Sequence, residues 1–135
     1  MRVRIEFPSG MAGLDGARSC VLERFAEDAF CVTLESEADP DACLLLGDVS
    51  RLAPGSRIEP GAGDVRQLGG WQDGECGIFC RLSIPGGDPS AAGFDTDRLV
   101  LVNFRTGRGV EVDRRVRGII PFAASDARLP GQTCS

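Results

Sequence analysis

Apolar and polar residues alternate from the start of the chain. Val3, Ile5 and Phe7 share one parity, and Arg2, Arg4 and Glu6 share the other. A period of two is the mark of a strand with one buried face. Pro8 and the run FPSGMAGLDG (7–16) end it in a tight corner, where proline withdraws a ladder donor and glycine opens positive φ. SCVLERF (19–25) reads as a second strand, and AFCVTLE (29–35) alternates again with Phe30, Val32 and Leu34 on one face. The acidic turn ESEADPD (35–41) leads into ACLLLGDV (42–49), which is apolar without interruption up to Gly47, as a strand covered on both faces would be. From 50 to 73 the pattern dissolves into proline, glycine and charge, with one helical turn predicted over 64–68. ECGIFCRLSI (75–84) resumes the alternation, and PGGDPSAAGFDTD (85–97) reads as a long loop. RLVLVNF (98–104), the turn RTGR (105–108) and GVEVD (109–113) form a hairpin. VRGIIPF (116–122) is expected to close the core. The pattern predicts an all-β fold: a compact antiparallel β-barrel-like single domain over 1–122, with at most one or two short helices, and a polar tail over 123–135.

Composition narrows the chemistry. The 135 residues contain no histidine, no lysine and no tyrosine, and all 15 cationic side chains are arginine. A Ser-His-Asp triad, a Cys-His pair, a His-ligated zinc and a Schiff-base lysine are all ruled out. The reading is therefore of a protein that is not an enzyme. Twenty acidic residues leave a net charge of −5, which repels nucleic acid and attracts a basic protein. No apolar run approaches the roughly 18 residues of a membrane span, and charges interrupt the N-terminus where a secretory signal needs an unbroken apolar stretch. The expectation is a cytoplasmic protein with no membrane and no direct nucleic-acid contact. The six cysteines, Cys20, Cys31, Cys43, Cys76, Cys80 and Cys134, read as reduced thiols packed as small hydrophobes. Cys76 and Cys80 share one strand face about 13 Å apart, too far for a disulfide or a shared metal.

Candidate binding residues follow from charge and exposure. Glu35, Glu37, Asp39 and Asp41 place four carboxylates in seven residues and form a docking surface for a cationic partner. Trp71, alone among glycines in GGWQDG, is an interface anchor or a lid over a barrel end. Arg105, Arg108, Arg114, Arg115 and Arg117 gather near the C-terminal hairpin, but Glu111 and Asp113 lie among them and no aromatic stacking platform accompanies them. Glu111 and Asp113 join the acidic turn and Trp71 as expected partner contacts. DVSRLA (48–53) echoes half of a PilZ-type motif, but Ala53 stands where glycine belongs and the paired arginines are missing.

One family accounts for the order of these pieces. Phe7-Pro8-Ser9-Gly10-Met11-Ala12-Gly13 resembles the F-P-x-G-x-x-G opening of the flagellar assembly factor FliW family. FCVTLESEADPDACLLLGDV (30–49) resembles that family's strand, acidic DP turn and apolar strand. RLSIPGGDPSAAG (81–93) resembles its isoleucine-proline strand end and loop. LVLVNFRTGRGVEV (99–112) is similar to its I-V-I-N-x-x-T-x-x-G hairpin, with Asn103, Thr106 and Gly109 in the matching places. The chain departs from the family's usual pattern at Gly47-Asp48, at Gly93-Phe94 and at Glu111. The resemblance implies a β-barrel-like binder without cofactor or metal. Its implied partners are CsrA, a dimeric mRNA-binding translational repressor, and flagellin, so that flagellin synthesis is tied to export. Two other readings remain open from the residues: a small split-barrel flavin-type enzyme, and a second-messenger-binding barrel using the C-terminal arginines.

Overall fold

The computed structural model describes residues 1–27, 29–54, 58–72 and 74–113. Seven strands follow one another as a meander that closes into a barrel. They are β1 (Arg2–Met11), β2 (Ala17–Glu23), β3 (Cys31–Ser36), β4 (Cys43–Asp48), β5 (Cys76–Ser83), β6 (Gly93–Asn103) and β7 (Arg108–Val112). Two short helices, α1 (Val49–Leu52) and α2 (Ala62–Leu68), lie between β4 and β5. Each strand pairs antiparallel with the next. With an odd number of strands the first and last must run the same way, and β1 meets β7 in parallel at Glu6 and Arg108. The Glu6 N–H donates to the Gly107 carbonyl at 2.8 Å at this seam. Helix α2 straps it: Ser9 of β1 donates to Gln67 at 3.1 Å, and Thr106 of the β6–β7 turn donates to the Leu68 carbonyl at 2.6 Å.

The period-two pattern sorts the apolar residues into two cores. Ile5, Phe7, Leu22, Leu34, Phe79 and Val102 meet inside the barrel. Leu99, Leu101, Val110 and Val112 point outward from the same strands and are covered by α1, α2 and Phe94. The uninterrupted apolar run of β4 serves both, with Leu44 and Leu46 turned to the inner core and Leu45 to the outer one. Burying both faces is what removes alternation from such a strand.

Three expectations about boundaries change. Pro8 does not end β1. The register slips between Glu6 and Met11, so proline sits in a bulge, where its missing N–H is not needed, and the strand resumes to bury Met11. The loop over 85–97 is shorter than predicted, because β6 begins at Gly93. An Asx turn, with the Asp97 N–H donating to Asp95 Oδ1 at 3.0 Å, marks the irregularity between Cys80 and Arg81 that splits this ladder in two. The helical turn expected over 64–68 is a full α2 from Ala62 to Leu68. The strand expected over 116–122, the tail over 123–135, Arg114, Arg115, Arg117 and Cys134 lie outside the described residues.

Candidate partner-binding surface

Strand direction gives the barrel two ends. One end collects the β1–β2 corner, the β3–β4 turn, the β5–β6 loop and the exit of β7. We call it the acidic end, since Asp15, Asp39, Asp41, Asp88 and Asp113 are all exposed there. The other collects the β2–β3 loop, the two helices and the β6–β7 turn; it exposes Phe25 and Phe104, at 52% and 36%, and is called the aromatic end.

The acidic turn is built locally. Asp39 accepts from the Asp41 N–H at 3.2 Å, and the Ala42 N–H donates to the Asp39 carbonyl at 2.9 Å. This Asx geometry holds both aspartates outward. Neither has an ion pair among the described residues. The two glutamates differ from them. Glu35 lies 3.5 Å from Arg2, and Glu37 lies 2.9 Å from Arg4, in a ladder across the outer face of β1–β3. Asp88 caps the turn that follows β5, accepting from the Ser90 N–H and hydroxyl, and those bonds hold its carboxyl below the usual range. Asp113 leaves β7 at this same end, 3.2 Å from Arg98.

Two of the expected contacts lie elsewhere. Glu111 turns into the barrel mouth, where Arg81 meets it at 2.6 Å, with side chains 19% and 14% exposed. Arg81 Nε has no hydrogen-bond partner among the described residues, and Glu111 Oε2 is met by Arg81 Nη2 as an ion pair outside hydrogen-bond geometry. Trp71 is half-buried against the outer core near the aromatic end. The structure therefore brings the acidic turn and Asp113 to one end of the barrel and leaves Trp71 and Glu111 out of that surface.

Arg81 explains the glycine corner. Its guanidinium also donates to the Ala12 carbonyl, so the corner is tied down over the barrel mouth with Met11 and Leu14 buried beneath it. A Cβ on Gly13 would stand 2.8 Å from Arg81 Nη1, and one on Gly10 only 2.6 Å from the Gly16 carbonyl oxygen. Gly10 and Gly13 also adopt positive φ, 78° and 87° respectively. The corner is a lid, and its residue types follow from what lies under it. The residue reading assigned Arg81 no role, although a cation on the inward parity of an otherwise apolar strand was the available signal.

The hairpin motif is likewise structural. Asn103 donates to the Gly70 carbonyl at 3.0 Å and accepts from the N–H groups of Arg105 and Thr106. A Cβ on Gly109 would meet the Phe7 ring at 2.5 Å. Among the thiols, Cys20, Cys31 and Cys80 are free and buried, as expected, and Cys76 is free and half-exposed; Cys43 is disulfide-bonded instead. Burial pushes Cys31 and Cys80 up to about 12 and, with nearby Glu6 and Glu37, Cys20 to about 11. None of these three is a nucleophile at neutral pH. Among the described residues, no group of acidic or cysteine side chains is placed to hold a metal ion.

Comparison with known proteins adds a likeness. No family model matches the chain. A flagellar assembly factor FliW from Desulfovibrio desulfuricans is 27% identical over 110 residues, which cover 80% of this chain and 66% of that relative. The chain thus spans just under two thirds of the relative's length. A crystal structure of the flagellar assembly factor FliW superposes with a TM-score of 0.70 at 16% identity, over 87% of this chain and 86% of that one, and so shares the fold. The motif order, the sequence match and the barrel agree: the chain is FliW-like in sequence and in fold.

Proposed function

We propose that this FliW-like chain is a non-enzymatic flagellar assembly and regulatory protein that works in the cytoplasm by binding other proteins. In this reading it binds a CsrA-type mRNA-binding regulator, relieves the repression of flagellin mRNA, and binds flagellin in competition. The observation that carries it is the acidic end: Asp39 and Asp41 are exposed and have no ion pair among the described residues, on a turn fixed by its own hydrogen bonds. A regulator that grips RNA phosphates must present arginine and lysine, and a preorganised carboxylate surface attracts and orients such a partner. The absence of histidine and lysine supports binding without catalysis. No helix among the described residues is long and apolar enough to cross a membrane.

The test is calorimetry against a CsrA-type regulator at low and moderate salt. Wild type should bind with an affinity that falls as salt rises. Asp39→Arg/Asp41→Arg should weaken binding at least ~10-fold and flatten that dependence. Unchanged affinity in the variant would discard the site. No binding by wild type would discard the partner.

A further inference from the structure

We propose that a cleft at the aromatic end is a second binding site, which takes a segment of a protein partner carrying an apolar side chain beside a carboxylate. The proposal does not rest on the acidic-end reading, since it concerns the opposite end of the barrel and the opposite charge. Val49, Ile78, Phe79 and Phe104 form the walls of a cavity of about 200 Å³, and Arg24 and Asp48 form its polar floor. Ligand pockets for whole small molecules occupy roughly 300–1,000 Å³. This cleft is smaller and suits one anchoring side chain. Its shape is built in: Phe104 stacks edge-on against the buried Phe79 at 6.4 Å, and a Cβ on Gly77 would stand within 3.0 Å of both rings.

The floor determines which polar group fits. Asp48 is filled: its Oδ1 accepts from the Ser50 N–H and hydroxyl, and its Oδ2 accepts from Arg24 at 2.6 Å. Arg51 approaches the same carboxylate at 3.7 Å. One carboxylate thus faces two guanidiniums, and the surplus charge is positive. Arg24 uses one N–H on the Ala29 carbonyl and one on Asp48, while a guanidinium carries five. Arg24 therefore keeps N–H groups that Asp48 and Ala29 do not use, which favours an anionic oxygen beside the apolar contact. Exposed Phe25 and Met1 stand at the same end of the barrel as Phe104. Aromatic and methionine side chains around an apolar hole are what protein interfaces enrich at their centres.

The experiment titrates the ¹⁵N-labelled full chain with N-acetyl-L-phenylalanine, followed by NMR, with N-acetyl-L-phenylalanine amide as the uncharged control. Saturable shifts should appear at Ser50, Gly77, Ile78 and Phe104, with the acid binding at least ~5-fold tighter than the amide. Phe104→Ala, a change at an exposed ring, should lose the response while melting within a few degrees of wild type. Equal response to acid and amide, shifts gathered at Asp39 and Asp41, or no saturable shift would overturn the proposal. So would concentration-dependent self-association that moves the same resonances without probe, since the occupant would then be a second copy of the chain.

Discussion

At the acidic end the barrel is closed from within. Arg81 and Glu111 fill the mouth, the glycine corner lies over them, and the surface left outside carries aspartates on short, hydrogen-bonded turns. At the aromatic end the barrel floor is left partly open. Phe104 leans on Phe79 beside a cavity, and a buried arginine–aspartate pair lies at its base. Both ends use an arginine–carboxylate pair, but differently. Arg24 and Asp48 are tied to each other and to backbone and hydroxyl partners, whereas Arg81 Nε is buried without a hydrogen-bond partner among the described residues and Glu111 Oε2 is held only by the ion pair. A sealed end with an incompletely satisfied pair should be sensitive to mutation. An open end built from surface rings should not.

The largest effect is expected at the corner. Gly10→Val forces a β-branched residue to φ 78° and places its Cβ 2.6 Å from a backbone oxygen. Strain and overpacking together should cost about 3 kcal/mol, or on the order of 10 °C in Tm. Phe104→Ala at the other end should stay within about 1 kcal/mol of wild type. Thermal melts of the two variants check this. A Gly10→Val protein that melts normally yet no longer binds its partner would show the corner to be a contact rather than a lid.

Next is the pair beneath the corner. Arg81→Met leaves Glu111 charged and mostly buried without its cation, at a cost of about 2–3 kcal/mol after allowing for its residual exposure. Arg81→Met/Glu111→Leu removes the stranded charge and should recover to within about 1 kcal/mol of wild type. Urea midpoints of the single and double variants measure the difference. If the double variant is as unstable as the single, the guanidinium's bond to the Ala12 carbonyl, rather than the ion pair, holds the lid.

These two sites also show where sequence reading succeeds and where it stops. Alternation, with one uninterrupted apolar run for β4, placed the seven strands apart from the first residues of β6, and the motif residues Gly10, Asn103, Thr106 and Gly109 all have jobs in the folded chain, because local chemistry fixes them: positive φ, turn bonds, or a ring pressed on bare backbone. The fates of Glu111 and Trp71 were not legible, because both depend on contacts distant in sequence. Glu111 alternates like a surface residue until Arg81, 30 positions away, draws it inward. Trp71 is decided by how α1 and α2 pack over the outer core. The aromatic-end cleft was hidden for the same reason, since it is assembled from four separate segments of the chain.

Two thiols on one strand face sharpen the contrast by a smaller effect. Cys76 lines the cleft and is half-exposed, while Cys80, four residues along, is buried. In native protein at pH 8 a thiol reagent should modify Cys76 first and leave Cys80, whose pKa stands at about 12, until unfolding. Titration tests the buried set. Burial raises Cys31 from 9.0 to about 12. Its contribution is therefore fully present below pH 9 and lost as pH climbs toward 12. Against a Cys31→Val variant, wild type should lose about 1 kcal/mol between pH 8 and pH 10. Parallel pH profiles would mean that the interior admits water.

The smallest effect separates two kinds of carboxylate at the acidic end itself. Glu35→Gln/Glu37→Gln and Asp39→Asn/Asp41→Asn each remove two negative charges within seven residues of one another, so long-range attraction to a cationic partner changes by a similar amount. What differs is local. Arg2 and Arg4 already neutralise the glutamates, and exposed pairs of this sort contribute roughly 0–1 kcal/mol to stability. The aspartates have no such cation among the described residues, and a partner's arginine can approach them without displacing one. Both double variants should therefore melt within about 0.5 kcal/mol of wild type, yet binding of a CsrA-type regulator should fall further for the aspartate pair, by about 3-fold or more at low salt. Equal losses would mean that the partner reads net charge over the whole end. A larger loss for the glutamates would move the contact onto the outer face of β1–β3 and break the distinction between paired and unpaired acids.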